Sequence, residues 1–299
     1  MDTSTINQDY YWMAKAIRLA QRGLYTTSPN PRVGCVIVSP DNHCVGEGAH
    51  LKAGTPHAEV HALKQAGDLA KGATAYVTLE PCSHFGRTPP CAEALIHAQV
   101  KRVVIAMTDP NPNVSGNGIR KLQNAGIEVT SDVMSAEAGA LNPGFVKRML
   151  TGKPYVRVKQ GISLDGKIAL KNGVSQWITG PEARQDVHKY RAQSCAVLTG
   201  SGTVEADNPS LLVRPSEAKL SAYPLDTLRQ PVRVIVDGQS RLDNHYQCFK
   251  DGFPTYLAST LHHADTKQGQ YIKVNAKGNN VDLSHLMLQL GAMQFNEVW

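Results

Sequence analysis

An α/β protein of two domains is the fold class this chain predicts, and three observations carry it. At 299 residues the chain exceeds the usual size of one domain. Short apolar runs bounded by Gly and Pro alternate with stretches of helical period, the pattern of a mostly parallel or mixed sheet covered by helices. The segment Thr151-Gly152-Lys153-Pro154 interrupts that rhythm, and a new strand-like run, Tyr155 to Lys159, follows at once. The boundary is placed there, giving domains 1–150 and 151–299.

Each element has its own signal. Met13, Ala16, Ile17 and Ala20 recur at helical spacing and predict a helix over Tyr10 to Arg22. Strands are predicted at Val33 to Val38, Ala73 to Leu79 and Arg102 to Met107. Thr55-Pro56 is a start signal for a helix from His57 to Ala66, and Pro90 for one from Cys91 to Ala98. A helix-like stretch, Ala136 to Leu150, closes the first domain. In the second, strands at Ala196 to Thr199, Val232 to Val236 and Thr255 to Ala258 alternate with helices at Pro181 to Gln193 and Asp282 to Leu290. Arg214 to Gln230 is polar and reads as loop. Gln294 to Trp299 reads as the opening of a buried strand.

Composition excludes several classes. Hydrophobic residues make up 41% and charged residues 19%, values of a globular chain rather than a disordered one. No apolar run approaches the roughly 18 residues of a membrane span, and the first ten residues lack the basic start and apolar stretch of a secretory signal. The cytoplasm is the expected location, with no membrane partner. In that compartment six cysteines are better used on metal or buried than in disulfides, and Cys35, Cys44, Cys195 and Cys248 read as small buried thiols. A net charge of +6 suits anionic ligands such as phosphates. The basic residues form no stripe and no aromatic ladder, so nucleic acid is not the expected partner.

The chemistry is concentrated in His57-Ala58-Glu59 and in Pro81-Cys82, followed eight residues later by Cys91. An imidazole and two thiolates are three zinc ligands, and three protein ligands leave the fourth tetrahedral position open, as in catalytic sites. Zn²⁺ lowers the pKa of water from about 15.7 towards 7, and Glu59, two residues past the ligand, is suited to carry protons. This is the donor set of the zinc base deaminases, hydrolytic deamination being the implied reaction. Those enzymes usually space their cysteines two apart. Here the intervening segment forms a loop that carries His84 and Arg87 over the metal. Two rival readings stand beside this one: a nucleoside or nucleic-acid base deaminase, and a structural zinc module in which His50, His61 or His84 closes the tetrahedron.

The second half is less explicit. Leu198-Thr199-Gly200-Ser201-Gly202-Thr203 reads as a strand running into a glycine-rich turn and a helix, a place where backbone amides can receive a phosphate. It lacks Gly-x-Gly-x-x-Gly and a Walker lysine. Asp207-Asn208-Pro209 has a plain reading as a turn.

The His-Ala-Glu and Pro-Cys-x8-Cys pair, Asn30-Pro31-Arg32-Val33-Gly34, Ser163-Leu164-Asp165-Gly166-Lys167 and Asp207-Asn208-Pro209 occur in one order. In this combination, from about residue 10 to the end, the chain resembles the bifunctional riboflavin-biosynthesis deaminase/reductases. That resemblance implies a cytidine-deaminase-like three-layer domain followed by a dihydrofolate-reductase-like domain. The first would hydrolyse the 2-amino group of 2,5-diamino-6-(5-phosphoribosylamino)pyrimidin-4-one with one Zn²⁺. The second would reduce the ribosyl group to ribityl with NADPH.

It also implies residue roles. Asn30, His50, His84 and Arg87 would contact the phosphorylated pyrimidine, Arg87 being suited to its phosphate. Gly161, Trp177, Thr203, Asp207 and Ser240 would line NADPH, and Ser175, Arg191, Leu211 and Arg214 the reductase substrate. Lys159 would assist ring opening by proton transfer; Lys167 is left without a role. Trp177 has a competing reading as core, and Arg191 as a solvated charge. The resemblance further implies that the reductase domain continues past Trp299, so its C-terminal part is expected to be missing. A homo-oligomer, a dimer, is the expected assembly.

Overall fold

The computed structural model describes residues 3–83, 89–112, 114–175, 177–221, 223–261 and 269–299. They form two compact units, Met1–Thr151 and Gly152–Trp299.

The first unit is built on α1 (Thr3–Ala20), β1 (Gly34–Val38), β2 (Cys44–Ala49), α2 (Ala58–Ala66), β3 (Thr74–Val77), α3 (Cys91–His97), β4 (Arg102–Ile105), α4 (Asn117–Asn124), β5 (Glu128–Thr130), α5 (Ser135–Leu141) and α6 (Pro143–Thr151). The sheet order is β2-β1-β3-β4-β5. β1 runs antiparallel to both neighbours, and β3, β4 and β5 are parallel. Alternation along β1 builds two cores. Cys35 and Ile37 join Ala58, Ala62, Leu95 and Leu122 on the α2 side, whereas Val36 and Val38 join Trp12, Met13 and Ile17 on the α1 side. The result is a three-layer unit. The helices come unusually close to the strands because the sheet has glycines beneath them. A Cβ on Gly34 would lie 2.0 Å from the Ala16 carbonyl oxygen, and one on Gly48 would lie 2.0 Å from that of Ala58.

The second unit carries β6 (Tyr155–Val156), α7 (Pro181–Gln193), β7 (Ala196–Gly200), α8 (Ser201–Asp207), α9 (Pro215–Ala218), β8 (Val232–Val236), β9 (Thr255–Ser259), β10 (Gln270–Lys273), a small ribbon of β11 (Ala276–Lys277) and β12 (Asn280–Val281), α10 (Leu283–Ala292) and β13 (Glu297–Val298). Its main sheet, in the order β10-β9-β8-β7-β13-β6, is parallel throughout. α10 covers one face through Leu286 and Leu290, packed on Val234, Ala258 and Val298. The aspartate before it, Asp282, accepts from the Ser284 and His285 amides and so caps it.

Three expectations need correction. The helix foreseen over Ala136 to Leu150 is two helices, because Pro143 disfavours helical backbone at Asn142, whose φ of −128° ends α5. The Asn142 side chain is used elsewhere: it accepts from the Arg32 amide and donates to the Arg32 carbonyl. The strand foreseen from Tyr155 to Lys159 stops at Val156, since its partner β13 offers two residues of pairing and the Arg157 amide takes the last carbonyl, that of Val298. The described residues of 157–175 and 177–178 form a largely exposed arm with tight turns at Ser163–Lys167 and Leu170–Val174. Trp177 lies on that arm, 67% exposed, so its reading as core is overturned. The terminal run does form a buried strand, β13, inserted between β7 and β6.

Candidate active sites

The first site assembles at helix starts, where the sequence placed its signals. His57 is the residue before α2, its backbone extended (φ −76°, ψ 170°), and Cys91 opens α3 after Pro90. Cys82 follows β3 through Leu79, Glu80 and Pro81. The Cys91 amide donates to Cys82 Sγ at 3.3 Å, and the Ala92 amide donates to the Cys82 carbonyl at 3.1 Å. Both ends of the long excursion between the cysteines are thereby pinned. The excursion holds residues 84–88, so His84 and Arg87 lie outside the described residues.

His57 Nδ1 stands 3.3 Å from Cys91 Sγ and 3.7 Å from Cys82 Sγ, and the three donor atoms lie within 4.8 Å of one another. Tetrahedral zinc at about 2.3 Å from sulfur and about 2.0 Å from nitrogen requires N···S separations near ~3.5 Å. The observed pair brackets that value, so the donor set fits zinc. Glu59 is buried on the first turn of α2, and its Oε2 has no hydrogen-bond partner among the described residues. An orphaned carboxylate oxygen in a buried site is costly unless a ligand or proton meets it. Burial pushes this carboxyl up to about 7, against the pull of His57.

Electrostatics in the cluster follow from proximity. The hydrogen bond from the Cys91 thiol pulls Cys82 well below the usual thiol range, burial opposing, while the same bond pushes Cys91 upward. Hydrogen bonding to Cys82 raises His57. His50 is packed edge-on to His57 with centroids 5.2 Å apart. Asn30 Nδ2 lies 3.1 Å from His50 Nε2, and the Pro56 carbonyl oxygen lies 3.2 Å from Nδ1. The carbonyl accepts, so the ring proton sits on Nδ1 and Nε2 accepts from Asn30. Burial, the largest influence, lowers His50 to about 4 and keeps it neutral. Asn30 and His50 are thus joined to the zinc donors as one cluster. His61, one turn into α2, stands outside the metal-ligating group.

In the second unit the candidates fall in three places. Thr203 and Asp207 lie on α8, and Ser240 lies in the loop after β8, its Oγ 3.2 Å from Ser259 Oγ at the end of β9. Arg241 Nη2 donates to Ser201 Oγ at 2.9 Å. Ser201, Ser240, Arg241 and Ser259 thus meet at the carboxyl ends of β7, β8 and β9, where open α/β sheets bind their ligands, and a Cβ on Gly200 or Gly202 would meet nothing within 4 Å. That edge fits a nucleotide cofactor. Arg191 and Arg214 form the second place. Arg191 Nη1 reaches the Leu212 carbonyl at 3.4 Å, while its buried Nε has no partner among the described residues. Burial lowers its pKa first, with the Arg214 charge adding to the effect. It is therefore no solvated charge. Leu211, buried with φ +60°, belongs to the same corner. The third place is the exposed arm, with Lys159, Gly161, Lys167, Ser175 and Trp177; the Arg184 guanidinium lies 4.5 Å over the Trp177 ring.

Sequence reasoning missed Glu80. Its carboxylate is buried, two positions before the donor Cys82 in the chain, and the backbone amides of Asp109, Gly116, Gly118 and Ile119 donate to it. The only available signal was an acidic residue immediately before Pro-Cys.

Comparison with known proteins gives a consistent picture. Residues 6–107 match the cytidine and deoxycytidylate deaminase zinc-binding region, and residues 154–299 match the RibD C-terminal domain. The chain is 52% identical over 299 residues to riboflavin biosynthesis protein RibD of Escherichia coli (strain K12), covering 98% of this chain and 81% of that protein. The corresponding protein of Haemophilus influenzae is 49% identical, with 98% and 79% covered. Among solved structures, Acinetobacter baumannii RibD superposes with a TM-score of 0.88 at 48% identity, covering 98% of this chain and 80% of that one. A diaminohydroxyphosphoribosylaminopyrimidine deaminase/5-amino-6-(5-phosphoribosylamino)uracil reductase from Thermotoga maritima does so at 0.85 and 36%, with 98% and 80% covered.

Proposed function

The chain belongs to the RibD family of riboflavin-biosynthesis deaminase/reductases, and from that membership we propose how its residues divide two successive reactions on one phosphorylated pyrimidine. It is a zinc-dependent deaminase and an NADP-dependent reductase. The substrate is 2,5-diamino-6-(5-phosphoribosylamino)pyrimidin-4-one, which loses its 2-amino group; the ribosyl side chain is then reduced to ribityl. The observation that carries the first step is the three-donor cluster together with a buried Glu59 oxygen that has no partner among the described residues.

His57, Cys82 and Cys91 would hold the zinc, which when bound supplies a Lewis acid that makes water nucleophilic near neutral pH. Glu59 Oε2 takes the proton from the attacking water and returns it to the departing amine. Asn30, with its Nδ2 committed to His50, keeps its carbonyl oxygen as an acceptor for the base edge. His50 fixes that amide and adds no charge. His84 and Arg87 contact the substrate, Arg87 through its phosphate.

NADPH, the hydride donor, would be held by Thr203, Asp207 and Ser240 at the strand ends, with Gly161 and Trp177 from the arm. Ser175, Arg191, Leu211 and Arg214 take the substrate, the two guanidiniums answering its phosphate. Lys159 moves a proton at the ribose. A Cβ on Gly161 would stand 3.1 Å from Lys159 Nζ, so a glycine there leaves the ammonium room. Among the described residues no helix is long and apolar enough to cross a membrane. The net charge of +6 suits an anionic ligand such as a phosphorylated small molecule, and the scatter of the basic residues along the chain speaks against nucleic acid. A cytoplasmic homodimer is the proposed form.

Glu59→Gln tests the first step. Ammonia release from the pyrimidine is expected to fall by roughly 10²–10⁴-fold, the range of a lost general acid–base, with zinc content unchanged. Undiminished release would refute the assignment, and so would four protein ligands on the metal. The deaminated product with NADPH tests the second step through loss of nicotinamide absorbance.

A further inference from the structure

Glu80 is 3% exposed, and its carboxylate is engaged on both oxygens. Oε2 accepts from the Asp109 and Gly116 amides at 3.1 and 3.0 Å, and Oε1 accepts from the Gly118 and Ile119 amides at 2.8 and 3.3 Å. The last two donors lie in the first turn of α4, a helix whose own preceding residue, Gly116, has no side chain to cap it. Its cap comes instead from a residue 38 positions away, and the negative charge lies at the positive helix end.

What makes this more than a cap is where Glu80 is attached. Its amide donates to the Met107 carbonyl at 3.0 Å, continuing the β3–β4 pairing, and two residues later the chain reaches Cys82. The intervening Pro81 carbonyl oxygen would lie 2.0 Å from a Cβ on Gly118, so the start of α4 rests directly on the ligand-bearing turn. On its other side that turn is tied to α3 through the Cys82 sulfur and carbonyl. The turn is therefore held between two helix starts, one fixed by Cys82 itself and one by Glu80.

We propose that Glu80 is a positioning residue of the metal centre: its carboxylate clamps 109–119 onto the Pro81-Cys82 turn and thereby sets the Cys82 sulfur at ligating distance before metal arrives. The inference rests on the deaminase reading above. Pre-placed ligands raise metal affinity, and loss of an outer partner typically costs 10–100-fold in affinity or activity. A glutamine at 80 has a single acceptor oxygen, and its amide nitrogen would face two backbone donors.

The test is Glu80→Gln in the full chain, with three measurements: zinc affinity by chelator competition, the absorption of the cobalt(II)-substituted chain, and denaturant stability of the metal-free chain. Zinc affinity is expected to fall 10–100-fold, the cobalt–thiolate bands to shift, and deaminase kcat to fall more than KM rises. Lower metal-free stability with unchanged affinity, bands and kcat would overturn the proposal, since a cap that only holds the fold gives that result. If the glutamine variant fails to fold, Glu80→Asp, which keeps the charge but is one methylene short, is judged by the same criteria. Absence of zinc binding by the unaltered chain would sink the deaminase reading instead, so the two failures are distinguishable.

Discussion

At the scale of single residues, the deaminase site is a set of groups whose ordinary behaviour is altered by burial. His50 is the clearest case. Its folded-state pKa, about 4, lies below its ordinary 6.5, so between those values the unfolded chain binds a proton that the folded chain refuses. Its stabilising share is therefore complete above pH 6.5 and is lost as pH falls towards 4, with a slope of at most ~1.4 kcal/mol per pH unit. Urea unfolding of the metal-free chain between pH 7 and pH 4.5 checks this against His50→Gln. The unaltered chain is expected to lose more stability than the variant; parallel curves would show that His50 does not titrate in this way. Glu59 and Glu80 are contrasting buried carboxylates. One has an oxygen without a partner among the described residues, and the other accepts four amides. The unmet group is suited to move protons and the satisfied one to hold shape.

Elements position these residues by close packing. α2 brings His57 and Glu59 to the site, and it can lie against the sheet only because β2 carries Gly46 and Gly48 beneath it. A Cβ at either would stand 2.2 or 2.0 Å from the carbonyl oxygens of Ala62 and Ala58. Both obstacles are helix backbone, which cannot rotate aside. Gly48→Ala is expected to cost about 1–3 kcal/mol, the range for overpacking a tight contact, and to lower deaminase activity because α2 starts at the donor His57 and carries Glu59. Denaturant midpoints and ammonia release check the two effects; full activity at unchanged stability would mean that α2 can shift freely. The sequence hid β2 for the same reason. Cys44-Val45-Gly46-Glu47-Gly48-Ala49 gives no strand signal because two of its six residues are glycine, and only the helix above it explains them.

For the whole molecule, the division into Met1–Thr151 and Gly152–Trp299 places all three zinc donors in one unit. Chelation is therefore expected to lower the unfolding temperature of that unit and leave the other's in place. Zinc at a hundred times its dissociation constant stabilises its unit by about 2.7 kcal/mol. Calorimetry with and without a chelator reads the shift, and equal displacement of both transitions would contradict the assignment.

The sequence alone pointed to the α/β class, to the helix starts at His57 and Cys91, and to the His57, Cys82 and Cys91 donor set that the fold gathers. It could do so because capping signals, apolar period and ligand chemistry are local properties, carried by residue type and spacing. Only tertiary structure decided that Asn142 would leave its helix to hold Arg32, that Trp177 would stay outside the core, and that the Nε of Arg191 would be closed off from solvent. It alone showed that Glu80 gathers amides from 109 to 119. The Glu80 and Asn142 outcomes depend on segments that meet across gaps of 29 to 110 residues, and no local pattern in the chain encodes the far partner.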